Sequence, residues 1–308
     1  MFIQTVSNDV RDRRFSFEFF PPKTDAGRAR FGTIIRELAT LGPSFVSVTF
    51  GAGGSTREGS FQTASEIIKT TNLAVTPHLS CIGSTPEQIR AHLEMYRAIG
   101  VDRVMALRGD PPEGEAAGGA ATARAFTYAS DLVAFIRSYY GGLRISVACY
   151  PEFHPEAATP DADVRAFVCK AKAGADEAIS QYFFNNEAYY RFVDWVQKLG
   201  VHIPIVAGLM PIADYDQVVR FSSFCGADVP AWVRKRMEAL AGDPHGQREL
   251  GIEIAVRQAE DLLRNGAPGI HFYTLNRAEP TVRIWEALGL PKAADLAGAD
   301  RSATQLPS

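Results

Sequence analysis

Cysteine is scarce in this chain. Its 308 residues include four, Cys81, Cys149, Cys169 and Cys225, far apart and without a CxxC pair. That pattern supplies no disulfide framework and no zinc knot, so buried free thiols in a reducing compartment are expected. An excess of either charge is lacking too. The 32 Lys and Arg nearly balance 35 Asp and Glu, a formal charge of -3. No basic stripe suits nucleic acid, and no like-charge run forms a tail. No apolar stretch approaches the roughly 20 residues needed to cross a bilayer. The opening MFIQTVSNDVRDRR has no apolar core of a signal peptide. The expectation is a soluble, cytoplasmic globular protein with no nucleic-acid and no membrane partner.

Several chemical motifs are missing as well. No GxGxxG follows the first apolar run, which stops instead at Pro21 and Pro22. There is no GxSxG elbow, so an esterase-type serine nucleophile is not indicated. No lysine ends an apolar run, which disfavours a Schiff-base aldolase. His78, His154 and His271 are too widely spaced for a metal pair, and no metal is expected.

What is present is repetition. Short β-rich apolar runs recur eight times, at 15–20, 45–50, 73–81, 103–109, 144–150, 178–184, 203–210 and 269–275. Most read as near-continuous apolar, the habit of parallel strands buried on both faces. Segments with helical period lie between them. One puts Phe31, Ile34, Ile35, Leu38 and Leu41 on a single face. Another opens with a Thr85 cap and Pro86 at the first helical position, and closes at Gly100. This alternation predicts a (β/α)8 TIM barrel rather than an open doubly wound sheet. One domain is expected over 1–308, with an ordered core at about 14–290. Extra helices fill about 211–268, before the last strand. A mobile loop is expected at 111–126 and a flexible tail at about 291–308.

Barrel chemistry sits at the C-terminal ends of the strands. That rule selects Glu18, Thr49, His78, Arg108, Asp110, Tyr150, Glu152, His154, Gln181, Asn276 and Arg277. Glu18 stands among Phe15, Phe17, Phe19 and Phe20. An apolar setting would raise its pKa and make it a general acid near neutral pH; a structural pairing with an arginine is the alternative. His78 reads equally as a core histidine or a ligand contact, and Asp110 as a turn cap or a functional carboxylate. Arg108 could pair with Asp110, and Gln181 could bond barrel backbone. GAGGST, without a following lysine, is a weak phosphate-loop signal. A mouth of this kind suits a flat conjugated ligand or cofactor.

The segments FSFEFFPPK, FVSVTFGAGGST, TPHLSCIG, ALRGDPP, ISVACYPEFHPEA, ISQYFF and HFYTLNRAE run in order from about residue 14 to 288. Together they resemble methylenetetrahydrofolate reductase of the compact bacterial type. The resemblance implies a barrel with non-covalent FAD that passes a hydride from NADH or NADPH to 5,10-methylenetetrahydrofolate, giving 5-methyltetrahydrofolate in a ping-pong scheme. It implies a role in one-carbon metabolism and methionine biosynthesis, and a homo-oligomer. Glu18 matches the general acid and Asp110 the aspartate beside flavin and pterin. Gln181, Gln217, Phe221 and Arg277 match substrate contacts. Thr49, Phe50, Ala52, His78, Arg108, Gly109, Asp110 and Tyr128 match flavin contacts, as do Tyr150, His154, Ala157, Asp163 and Lys170. Arg108 and Lys170 would neutralise the phosphate and ribityl region. Phe50 stands where the family often has Tyr, and Ala166 and Cys169 replace larger polar residues. No regulatory domain like that of the eukaryotic enzymes is expected. A flavin-free pterin- or folate-dependent methyl-transfer barrel and a non-catalytic flavin- or folate-binding protein are the alternatives.

Overall fold

The computed structural model describes residues 13–50, 56–110 and 125–295. Ala52 and the rest of 51–55, the loop expected over 111–126 as far as residue 124, and the tail beyond 295 lie outside the described residues. Eight parallel strands close into a barrel in sequence order: β1 (Arg14–Phe19), β2 (Phe45–Val48), β3 (Val75–Ser80), β4 (Arg103–Leu107), β5 (Arg144–Cys149), β6 (Glu177–Tyr182), β7 (Ile205–Leu209) and β8 (Gly269–Tyr273). The first six intervals carry α1 (Asp25–Ala39), α2 (Arg57–Thr71), α3 (Pro86–Ala98), α4 (Ala129–Tyr139), α5 (Pro160–Lys172) and α6 (Asn186–Lys198). Between β7 and β8 stand α7 (Tyr215–Cys225), α8 (Ala231–Glu238) and α9 (Pro244–Arg264), and α10 (Ala278–Ala287) follows β8. The (β/α)8 architecture and the extra helices agree with the sequence pattern. No described helix is long and apolar enough to cross a membrane.

Local chemistry sets the helix starts. Thr85 caps α3 in a reciprocal box with Gln88, and Pro86 occupies the first turn, where its missing N–H costs nothing. Thr24, Thr56, Thr159 and Asp214 cap α1, α2, α5 and α7 in the same way, each accepting a backbone N–H through its side chain.

The phenylalanines of β1 do not surround the Glu18 carboxyl. Strand period is two, so Phe15, Phe17 and Phe19 point out of the barrel while Ser16 and Glu18 point in. Phe19 meets Phe31 of α1 at 5.5 Å, and Phe15 and Phe17 meet Trp285 of α10 at 5.2 and 5.8 Å. The apolar setting expected for Glu18 from chain neighbours is therefore corrected: those rings glue the strand to its covering helices. The thiol expectation also changes in part. All four cysteines are free, but only Cys81 and Cys149 are buried, Cys225 is half-buried, and Cys169 faces solvent on α5.

Inside the barrel, Phe45, Met105, Ile179 and Val206 form a closed apolar layer. At the N-terminal end, Glu177 takes an ion pair from Arg14 and a 2.7 Å hydrogen bond from Ser146 Oγ. Arg103 lies 4.5 Å over the Phe45 ring. That end is closed by the Arg14–Glu177 pair and the Arg103 side chain.

Trp285 is buried against three strand phenylalanines. Trp285→Ala is expected to destabilise by about 3–5 kcal/mol, from lost burial plus the cavity left behind. Urea unfolding followed by circular dichroism checks this; a loss under about 1 kcal/mol would show that α10 does not anchor β1.

Candidate active site

Glu18 is the pivot of the open end. It is 7% exposed, near the end of β1. The parallel pairing of β1 with β8 sets Ser16 beside His271 and Glu18 beside Tyr273. His271 is wholly buried, its Nδ1 2.7 Å from Ser16 Oγ and its Nε2 3.7 Å from Glu18 Oε2. His78 Nε2, from β3, approaches the same oxygen at 3.4 Å. The Tyr273 ring stands edge-on to His271 at 5.3 Å, and its hydroxyl donates to Ser180 O at 3.0 Å. The carboxyl is thus held among two imidazoles and a phenol.

The backbone there is fixed by the turn after β8. Thr274 Oγ1 donates to Glu18 O at 2.6 Å. Asn276 clamps the next residue but one, accepting from Phe20 N at 2.9 Å and donating to Phe20 O at 2.8 Å. Leu275 and Asn276 both take left-handed backbone, with φ of 50° and 54°. Asn276, expected to face ligand, instead staples β8 to β1.

Burial shifts the titrating groups. It pushes the His78 imidazole below its usual value, against the opposing pull of Glu18, so His78 is neutral at pH 7. Tyr273 is held well above its ordinary value by burial and by the Glu18 charge, so its phenol stays protonated. Tyr150 is likewise pushed up, by burial first and then by Asp163 and Asp110.

Two polar atoms at this mouth are left over. Thr49 Oγ1 and His78 Nε2 are buried and have no hydrogen-bond partner among the described residues. Leaving such groups unpaired carries a desolvation penalty, which a bound polar ligand removes. The other residues selected from sequence spread around the rim. Arg108 does not pair with Asp110: its guanidinium donates to Glu156 Oε2 at 2.6 Å and to Gly109 O at 3.2 Å. Asp110 is exposed. Phe50 lies 5.6 Å below Arg57, and Tyr128 is exposed at the start of α4. The Tyr150 ring meets His154 edge-on at 4.6 Å. His154 N donates to Asp163, and Ala157 N to His154 O, which folds the β5–α5 loop back onto α5. Lys170 is half-buried, and its ammonium donates to Ala148 O at 2.6 Å. Its ammonium is thus bonded to the β5 backbone.

On the other side, Gln181 ends β6 at a register shift, its Oε1 accepting from Tyr182 N at 3.0 Å. Arg277 Nη2 donates to Gln217 Oε1 at 3.2 Å and lies 4.0 Å from Asp214. Phe221, one turn beyond Gln217 on α7, is 37% exposed. Outside this pair opens a cleft of about 620 Å³ lined in part by Asp214, Arg248, Arg277 and Glu279. Sequence reasoning had not placed His271, Ser16, Tyr273 or Glu156 in the site. The first three were visible as the inward set of the alternating runs FSFEF and GIHFY.

Comparison with known proteins fits this arrangement. The profile of the methylenetetrahydrofolate reductase family matches residues 4–289. The 5,10-methylenetetrahydrofolate reductase of Escherichia coli K12 is 37% identical over 275 residues, 89% of this chain and 90% of its own length. The Arabidopsis thaliana protein named methylenetetrahydrofolate reductase (NADH) 1 is 36% identical over 90% of this chain, but only 48% of that longer protein is covered. Among solved structures, a Clostridium thermocellum protein described as binding two copies of 5-methyl-5,6,7,8-tetrahydrofolic acid shares the fold. It has a TM-score of 0.62 at 15% identity, over 92% of this chain and 98% of that one. With a family match across nearly its whole length and a barrel mouth built around one buried glutamate, the chain belongs to the methylenetetrahydrofolate reductase family.

Proposed function

We propose that this protein reduces 5,10-methylenetetrahydrofolate to 5-methyltetrahydrofolate with NADH or NADPH as reductant and non-covalent FAD as carrier. The observation that carries the reading is the Glu18 carboxyl, buried at the barrel mouth between His271 and His78. The residues present fit a flavin. Thr49 Oγ1 and His78 Nε2 offer hydrogen bonds to a flat polar ring, and Arg108, here paired with Glu156, carries the guanidinium for a phosphate. FAD, when bound, supplies the two-electron relay between nicotinamide and folate. The same reading places the protein in the cytoplasm, acting on small molecules.

Glu18 does the proton chemistry. The folate ring opens when N10 takes a proton from the Glu18 carboxyl; the N10–methylene bond breaks and its electron pair stays on N10. The methylene carbon becomes an iminium with N5, the form that accepts a hydride. The carboxylate left behind faces His271 Nε2, and Ser16 fixes that ring through Nδ1. Neutral His78 places no competing cation beside that carboxylate. Gln217 and Arg277, already joined, hold the folate's polar end, and the exposed Phe221 ring offers a stacking face. Asp110 and Gln181 complete the contacts to pterin and nicotinamide.

Anaerobic half-reactions test this. The protein with FAD is expected to lose flavin absorbance with NADH or NADPH and regain it with the folate substrate; a protein that takes up no FAD would refute the reading. Glu18→Gln should keep FAD uptake and reduction by the nicotinamide, while the folate half-reaction slows at least about 100-fold. Near-parent folate turnover would remove Glu18 from the acid role.

A stability measurement probes the His78 environment. Its folded pKa lies below 6.5 through burial. Below about pH 6.5 the unfolded chain gains a proton that the folded chain refuses. His78 therefore contributes stability fully above that pH, and the contribution is lost as pH falls toward the lowered folded value. His92 and His154 are shifted the same way by burial. The urea midpoint should drop between about pH 7.5 and pH 5.5, and should drop less in His78→Gln. Equal slopes would show that His78 is not buried neutral.

A further inference from the structure

The flavin side and the substrate side of the mouth meet at one seam away from Glu18. The β5–α5 loop carries Tyr150, His154 and Ala157; α7 carries Gln217 and Phe221. Glu152, in that loop, accepts a 2.9 Å hydrogen bond from Asp228 N, just past the end of α7. Beside it, Gly226 terminates α7 with φ of 75°, and a Cβ there would lie 2.8 Å from Pro155 Cγ and 3.3 Å from Phe153 O. Phe153 itself holds φ of 71°, uncommon for a bulky residue, with its ring edge-on to Trp195 of α6 at 6.4 Å. The loop is therefore locked on α6 and presses its backbone against the last turn of α7.

A second contact holds α7 from the barrel side. Ser222 Oγ lies 3.1 Å from Tyr182 Oη, and Cys225 Sγ donates to the same oxygen at 3.2 Å. Tyr182 in turn packs edge-on to Tyr273, the partner of Glu18. The C-terminal half of α7 is thus fixed between β6 and the flavin-side loop, and the ring of Phe221 projects from that half.

We propose that Glu152 is a positioning residue: by bonding Asp228 N it ties the β5–α5 loop to α7 and sets the place of Phe221 and Gln217 for the folate substrate. In this role it acts through that bond rather than by touching substrate or flavin. The inference rests on the reading above, in which α7 holds folate and the loop holds FAD. A carboxylate bonded to a backbone N–H is a charge-assisted contact, and its loss should shift folate binding about tenfold.

Steady-state and half-reaction kinetics of the FAD-loaded protein test it, with Glu152→Ala and Glu152→Gln compared with the parent. Glu152→Ala should raise the apparent KM for folate about tenfold and leave flavin reduction by the nicotinamide within about twofold. Glu152→Gln keeps an oxygen acceptor for Asp228 N and should return KM to within about twofold of the parent. Should Glu152→Ala fail to fold, Gly226→Ala, which pushes Pro155 off α7, supplies the disrupted seam for the same comparison. Parent-like folate KM in the disrupted variant overturns the proposal. So does an equal slowing of both half-reactions, or a Gln variant as impaired as Ala. A parent without flavin-dependent folate turnover instead overturns the functional reading, and the proposal with it.

Discussion

Closure of the barrel between β1 and β8 is the constraint on which the site depends. It joins residues about 255 positions apart in the chain, so neither strand alone contains the chemistry. In-register pairing sets Ser16 against His271 and Glu18 against Tyr273. The three side-chain-to-backbone contacts beyond the pairing, one from Thr274 and two from Asn276, then fix where β1 ends. A one-residue slip would turn Glu18 outward toward α1 and α10 and put a phenylalanine at the mouth. The outward packing of Phe15, Phe17 and Phe19 resists that slip, because each ring would have to leave its buried partners. The apolar face of β1 and the polar face of β1 thus serve one purpose from opposite sides.

Much of this was legible in the amino-acid order. Eight apolar runs separated by capped helical segments specify the barrel, and the strands begin and end within three residues of the runs. The strand-end rule found Glu18, His78 and Arg108 without any ligand. What it missed follows from how β1 and β8 were read. As near-continuous apolar runs they hid their alternation: Ser16 and Glu18 face in, as do His271 and Tyr273. Glu18 consequently looked like a carboxyl among phenylalanines, when its through-space neighbours are imidazoles and a phenol. Pairwise contacts across loops carried no local signal at all. Nothing near Arg108 announces Glu156, and nothing near Lys170 announces the Ala148 carbonyl.

The two ends of the barrel hold their carboxylates differently. At the N-terminal end Glu177 is met by Arg14 and Ser146, so charge is cancelled where it is buried. At the C-terminal end Thr49 Oγ1 and His78 Nε2 are buried without partners among the described residues. Arg103 Nε and Thr76 Oγ1, near the N-terminal ends of β4 and β3, are left without hydrogen-bond partners as well. In the proposed function, a polar ring bound at the C-terminal end would give Thr49 Oγ1 and His78 Nε2 partners and recover the stability their burial costs.

The mouth can be followed as a ring of strand ends. From β2 to β5 it presents Thr49, His78, Arg108, Tyr150 and His154, proposed above for the flavin. From β6 to β8 it presents Gln181, Gln217, Phe221 and Arg277, proposed above for folate. A ring divided into two arcs has two boundaries. At one stands Glu18, on β1, between Tyr273 of β8 and Ser47 of β2. At the other the β5–α5 loop meets α7 through Glu152. In the proposed function the first boundary is where Glu18 passes a proton to the folate, and no tight ion pair holds that carboxyl. The second needs only rigidity, and there the carboxylate is spent on a backbone N–H. Two glutamates at the two junctions of one ring thus have different surroundings, imidazole and phenol from β8 beside one and a helix-end amide beside the other, and the roles proposed for them rest on that difference.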